Sequence, residues 1–126
     1  MQEYLMAKVC HYTEVKAQVF GDEAPGTTIR WVIDEEHDGA PHYAMRVIEV
    51  APGGHTPYHT HWFEHENFVF EGQGTVTIGE ETYPIRPGYV IYVPPGVKHQ
   101  YANTGDTPLK FICGVPTSRH APNSES

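Results

Sequence analysis

Hydrophobic positions along this chain fall in short runs, each closed by proline, glycine or a polar turn, and the runs recur about every ten residues. Eleven prolines and twelve glycines leave segments too short for ordinary helices, and no stretch carries its apolar residues at helical spacing. The pattern predicts strands over Thr27 to Ile33, Tyr43 to Val50, His59 to Glu71, Gly74 to Ile78, Thr82 to Ile85, Tyr89 to Val93, His99 to Tyr101 and Leu109 to Val115. Glu3 to Val9 reads as an edge strand or an arm. Pro52-Gly53-Gly54 and Pro94-Pro95-Gly96 read as turns. Many short strands with turns between them predict an all-β sandwich or barrel. Residues 1–115 are expected to form it as a single domain, and the polar stretch 116–126 reads as a frayed tail.

Length agrees with one domain: 126 residues can bury a core of their own without disulfides or a structural metal. Eight Lys and Arg against sixteen Asp and Glu give a net charge of -8, the wrong sign for neutralising phosphates. Nucleic acid and anionic membrane are therefore not expected as partners. The longest apolar run, Tyr89 to Val93, is far short of the ~20 residues of a membrane helix, and the first residues lack a basic-then-apolar leader pattern. A cytoplasmic protein is expected. Cys10 and Cys113 lie near opposite ends and form no CxxC, which gives a disulfide framework no support.

Nine histidines are more than a bland domain needs, and four of them fall between Gly53 and Glu66. On a strand, residues two apart project to one face, so His59 and His61 can aim at one point, and His65 keeps that parity if the strand runs through or kinks near Phe63. Neutral imidazoles on one face form a partial coordination sphere for a divalent transition ion. The bland alternative is a histidine-rich edge without a metal. His61-Trp62-Phe63-Glu64-His65 also reads as H-x-x-E-H, a peptidase motif, but that chemistry needs a helix, and the sequence around it has strand composition.

Further along, Gly88, Pro94, Gly96, His99 and Asn103 fit the pattern G-x5-P-x-G-x2-H-x3-N, while Gly53, His59 and His61 open a G-x5-H-x-H pattern that closes on Gly72. Together these closely resemble the two motifs of the cupin superfamily. The resemblance spans residues 53–103 and implies a double-stranded β-helix, or jelly-roll barrel, holding one metal ion per chain. Where the family has its glutamate, counting back seven places from Gly72 lands on His65, with Glu66 beside it on the opposite face. The resemblance thus narrows to small cupins with an all-histidine site. The implied ligands are His59, His61, His65 and His99, with Glu66 as the substitute if His65 points away. His11, His37, His42, His55 and His120 read as surface or loop.

Four neutral ligands leave the charge of the ion uncompensated, which favours an anionic substrate or a reduced oxygen species. Six-coordination leaves two open positions for inner-sphere chemistry, whereas tetrahedral Zn bound by all four would be closed and structural. Strand alternation places Asn67, Val69, Tyr101 and Asn103 on the metal side, and puts Phe111 and Cys113 inward if Lys110 faces out. Arg46 sits in an apolar strand. Burial statistics favour a snorkelling edge residue there, the alternative being a cavity cation that meets a substrate carboxylate. The expected activity is that of a small-molecule oxygenase using Mn or Fe, with Ni, Cu and Zn as other ions the ligands would take and dioxygen as co-substrate. A metal-dependent lyase, isomerase or decarboxylase with Glu66 or Tyr101 as proton carrier is the alternative enzyme, and a non-catalytic small-molecule binder is the third reading. Exposed barrel edges suggest a homodimer, which a sizing measurement checks.

Overall fold

A computed structural model describes residues 6–117. Nine strands follow one another: β1 (Gln18–Val19), β2 (Thr27–Ile33), β3 (Tyr43–Val50), β4 (His65–Glu71), β5 (Gly74–Ile78), β6 (Glu81–Ile85), β7 (Val90–Val93), β8 (His99–Asn103) and β9 (Leu109–Pro116). The described helices are a single 3-10 turn, Tyr12–Glu14, and one α-turn, Glu35–Asp38, capped by the Asp34 side chain and by Gly39 in the left-handed region. All pairings are antiparallel. One sheet runs β1-β2-β3-β9-β4-β7 and the other β6-β5-β8, the two layers of a jelly-roll barrel.

Alternation drives the core. Leu109, Phe111, Cys113 and Val115 are the buried positions of β9, each separated by a half-exposed neighbour, and they pack with Val50, Val69, Val76, Val93 and Tyr101. Strands β2, β3 and β5 have the expected bounds, and four others differ by one or two residues at an end. β1 has no counterpart in the reading, being two exposed residues whose ladder is supplied by β2.

Three expectations change. The strand expected from His59 begins only at His65, and the segment before it is held by an isolated bridge between His59 and His99 and by the Gly96 N–H on His61 O instead of a ladder. Of the N-terminal strand or arm, Met6 to Val9 lie exposed outside any strand, while Glu3 to Leu5 lie outside the described residues. Residues 116 and 117 are not frayed: Pro116 closes β9 opposite Tyr43, and the buried Thr117 donates its N–H to His42 O and its hydroxyl to Pro41 O. Residues 118–126, including His120, lie outside the described residues. Among the described residues no helix is long and apolar enough to cross a membrane.

Candidate metal centre

His65 opens β4 and His99 opens β8, and strand alternation points both into the barrel, at 5% and 7% exposure. His61 arrives from the 57–64 loop by a non-local route: its carbonyl accepts the Gly96 N–H at 2.8 Å, tying the loop to the Pro94-Pro95-Gly96 turn. The ligand atoms of His61, His65 and His99 all lie within 4.8 Å of one another, and the rings are 4.6 Å (His65 to His99), 5.1 Å (His61 to His65) and 5.6 Å (His61 to His99) apart.

His59 stands outside that group. Its backbone forms a two-way bridge with His99, and its ring sits 5.8 Å from that of His61, but the side chain is 45% exposed and its Nε2 is 3.9 Å from Glu23 Oε1. Three imidazoles converge, therefore, and the fourth lines the mouth of the same cleft. The parity argument fails for His59 and His61 because their segment is not a strand.

The three rings are prepared as neutral donors. Burial, followed by the charges of neighbouring histidines and Arg46, lowers the pKa of His61 to about 4; burial and Arg46 lower that of His65 further, and burial lowers that of His99. His99 Nδ1 is 3.0 Å from Val97 O, a pure acceptor, which holds the proton on Nδ1 and leaves the Nε2 lone pair open. His65 Nδ1 lies 3.3 Å from Cys113 Sγ and 3.4 Å from Arg46 Nη2. Cys113 Sγ can accept a proton donated by Nδ1, and in that tautomer Nε2 carries the free lone pair. His65 Nε2 is buried and has no hydrogen-bond partner. An orphaned imidazole nitrogen facing two more neutral imidazoles, with no carboxylate in the group, fits a divalent transition ion.

These pKa shifts carry a consequence for stability. Folded values below 6.5 mean that the unfolded chain takes up protons first as acid is added, so in metal-free protein the stability these histidines contribute is fully present above about pH 7 and is lost as pH falls from about 6.5 toward about 4 and below. Thermal melts of chelator-treated protein at pH 7.5 and pH 5 check this. A melting point at pH 5 equal to or above that at pH 7.5 contradicts it.

A cavity of about 340 Å³ opens onto the three histidines, and it is lined in part by Asn67, Tyr101, Phe111, Cys113 and Arg46. Asn67 Nδ2 donates to the Tyr101 hydroxyl, whose ring stacks on Phe111 at 4.2 Å. Burial raises the Tyr101 pKa, so its hydroxyl keeps its proton at neutral pH. Val69 and Asn103 also face inward, but Val69 packs in the core and Asn103 ties the end of β8 to its surroundings, its Nδ2 donating to Val50 O and Thr107 O.

Glu66 is corrected. It is exposed between the buried His65 and Asn67, so its carboxylate projects from the outer face and serves neither as substitute ligand nor as proton carrier inside. Arg46 is corrected too: its guanidinium lies over the Trp31 ring at 5.2 Å and reaches His65 and Cys113 instead of snorkelling to water. Phe20, Trp31, Thr56 and Pro57 are also part of the wall, and no sequence motif marks them. Trp31 lies directly across from Arg46 on the neighbouring strand, a pairing that no local sequence pattern contains, and a register shift between Trp31 and Ile33 blurs the alternation of its strand. His55 pairs with Thr56 O and Gln100 away from the cleft, His11 caps the 3-10 turn, and His37 pairs with Asp34 on the surface. With His61 in a loop and His65 on a strand, the H-x-x-E-H pattern forms no helical peptidase site.

Residues 46–115 match the cupin domain family. The chain belongs to the cupins. A protein of known structure, the polyketide cyclase RemF from Streptomyces resistomycificus, superposes with a TM-score of 0.81 at 34% identity, over 88% of this chain and 80% of that one. Protein SchB of Streptomyces halstedii is 30% identical over 79% of this chain and 78% of its own length. 1-Methylthio-D-xylulose 5-phosphate methylsulfurylase of Rhodospirillum rubrum is 30% identical over 62% of this chain but only 50% of its own. Enzymes are thus well represented among the similar cupins, and their reactions differ.

Proposed function

We propose that this cupin is a metal-dependent enzyme acting on a small carbonyl compound, closing a carbon ring by non-oxidative catalysis. The observation that carries the reading is the convergence of three neutral imidazoles, one with an unpartnered buried nitrogen, on the floor of an aromatic-walled cleft with no carboxylate among its lining residues. Likeness to a polyketide cyclase over most of both chains supports the choice of ring closure. His61, His65 and His99 would hold the ion, and His59 at the mouth would be the fourth ligand. A divalent ion held there supplies Lewis acidity to a substrate carbonyl oxygen.

The chain's own residues supply the rest. Phe111 and Trp31 offer flat apolar walls that orient an unsaturated substrate and exclude water. Tyr101, fixed by Asn67, keeps its proton and can donate a hydrogen bond to oxygen as negative charge develops. Oxygenase chemistry with Mn or Fe would use the same imidazoles, and dependence on dioxygen separates the two readings. The test is incubation with an aromatic-polyketide-type poly-β-ketone under strictly anaerobic conditions. Ring closure joins a carbon next to one ketone to the carbonyl carbon of another and loses one water. A product lighter by one water is expected from wild type without oxygen and not from the His65→Ala variant, while turnover that requires and consumes dioxygen overturns the ring-closing reading in favour of the oxygenase.

A further inference from the structure

Arg46 is the only Asp, Glu, Lys or Arg side chain among the residues lining the 340 Å³ cavity. The chain as a whole carries sixteen acidic residues, so a cleft without one is a local reversal of its charge. Arg46 also borders a second cavity of about 560 Å³, and the two share Gln18, Trp31 and His61 as well. Its guanidinium therefore stands in the partition between them. On the far side, Asp34, Glu35 and Glu36 line the second cavity and disfavour an anion there.

The partners of this guanidinium are neutral. The guanidinium lies over the Trp31 ring and donates to Cys113 Sγ, the His65 imidazole is 3.4 Å away, and none of the ion pairs among the described residues includes Arg46. Arg46 Nε is buried without any hydrogen-bond partner. A part-buried cation lacking a carboxylate is costly to keep, and the Trp31 face offsets only part of that cost. Guanidinium matches a carboxylate in charge and shape better than any other side chain does.

We infer that Arg46 is the anchor for a carboxylate on the ligand, so that the cleft takes a flat, conjugated acid whose apolar body lies among Phe20, Ile29, Trp31, Ile48 and Phe111. The inference rests on the proposed function only in treating this cleft as the substrate site, and it needs no metal. It assigns the acid end to the partition and the apolar body to the first cavity.

The probes are 2-naphthoate and 2-naphthamide, equal in shape and different in charge, titrated calorimetrically into wild type, Arg46→Lys and Arg46→Met, each as purified and after chelation. Naphthoate is expected to bind wild type about tenfold more tightly than naphthamide, in line with a charge-assisted hydrogen bond. Arg46→Met is expected to erase that preference and Arg46→Lys to retain part of it, with naphthamide affinity unchanged in both. The preference should survive chelation. No naphthoate binding, equal binding of the two probes by wild type, equal naphthoate binding by wild type and Arg46→Met, or a preference that vanishes with the metal would each overturn the inference. Should Arg46→Met fail to fold, Arg46→Lys decides the matter, since an unchanged preference there removes the role of the guanidinium fork. A preserved preference in protein that never carries metal would sink the metal reading while leaving this one intact.

Discussion

Replacing His65 by alanine is expected to empty the metal centre. His65 is the most buried of the three converging histidines, and its Nε2 is buried with no hydrogen-bond partner. Losing a supporting group around a metal ligand typically costs about 10–100-fold in affinity, and losing the ligand itself should cost more. Competition with a chromophoric chelator should therefore show more than about a hundredfold weaker binding for His65→Ala, with His61→Ala and His99→Ala close behind. His55→Ala is the control, because its ring bonds to Thr56 O and Gln100 outside the cleft and should leave affinity unchanged. Equal affinity in His65→Ala and wild type would remove His65 from the ligand set. Since the substituted side chain is buried against Phe63 and Cys113, circular dichroism on the variant separates lost metal from lost fold.

The second large effect is on the barrel. Gly72, which closes the first motif, turns the chain from β4 into β5 with a φ of +82°. A Cβ there would lie 2.1 Å from Pro108 O and 2.7 Å from Leu109 Cα, both backbone atoms of the segment that starts β9. Neither can step aside without moving the strand that lies between β3 and β4. Gly72→Ala combines a left-handed backbone penalty with an overpacked contact, for a loss of roughly 2–4 kcal/mol. For a domain of this size that lowers the melting point by about 8–16 °C. Gly53→Ala is the comparison, having similar φ but open space around the added atom, and it should cost roughly 1 kcal/mol. Equal melting points for the two variants would show that the close approach at Gly72 is relieved at little cost.

Local patterns were legible where local forces decide. Strands β2, β3 and β5 could be bounded because alternating or β-branched runs end on proline, glycine or polar turns, and His65 and His99 could be aimed inward because each sits on a strand whose parity is fixed by buried neighbours. His61 reached the same centre for a reason that no spacing contains: a hydrogen bond from Gly96, thirty-five residues away, fixes its loop. Without that strand parity His59 was left at the rim. Glu66 shows the opposite case, since the alternation that placed it on the other face from His65 also takes it out of the barrel. Arg46 was misjudged because burial statistics average over surfaces, whereas its side chain occupies a partition between two cavities that only the packing of β2, β3 and β9 creates. Phe20 and Trp31 line the cleft through long-range packing and carried no motif.

The central claim is that His61, His65 and His99 bind one divalent transition ion. Elemental analysis by mass spectrometry, on untagged protein purified without chelator or added metal, tests it most directly. Close to one Mn, Fe, Ni, Cu or Zn per chain is expected, reduced to background in the His65→Ala variant. Wild-type protein that carries no such ion, and that retains none after incubation with each metal and desalting, would contradict it.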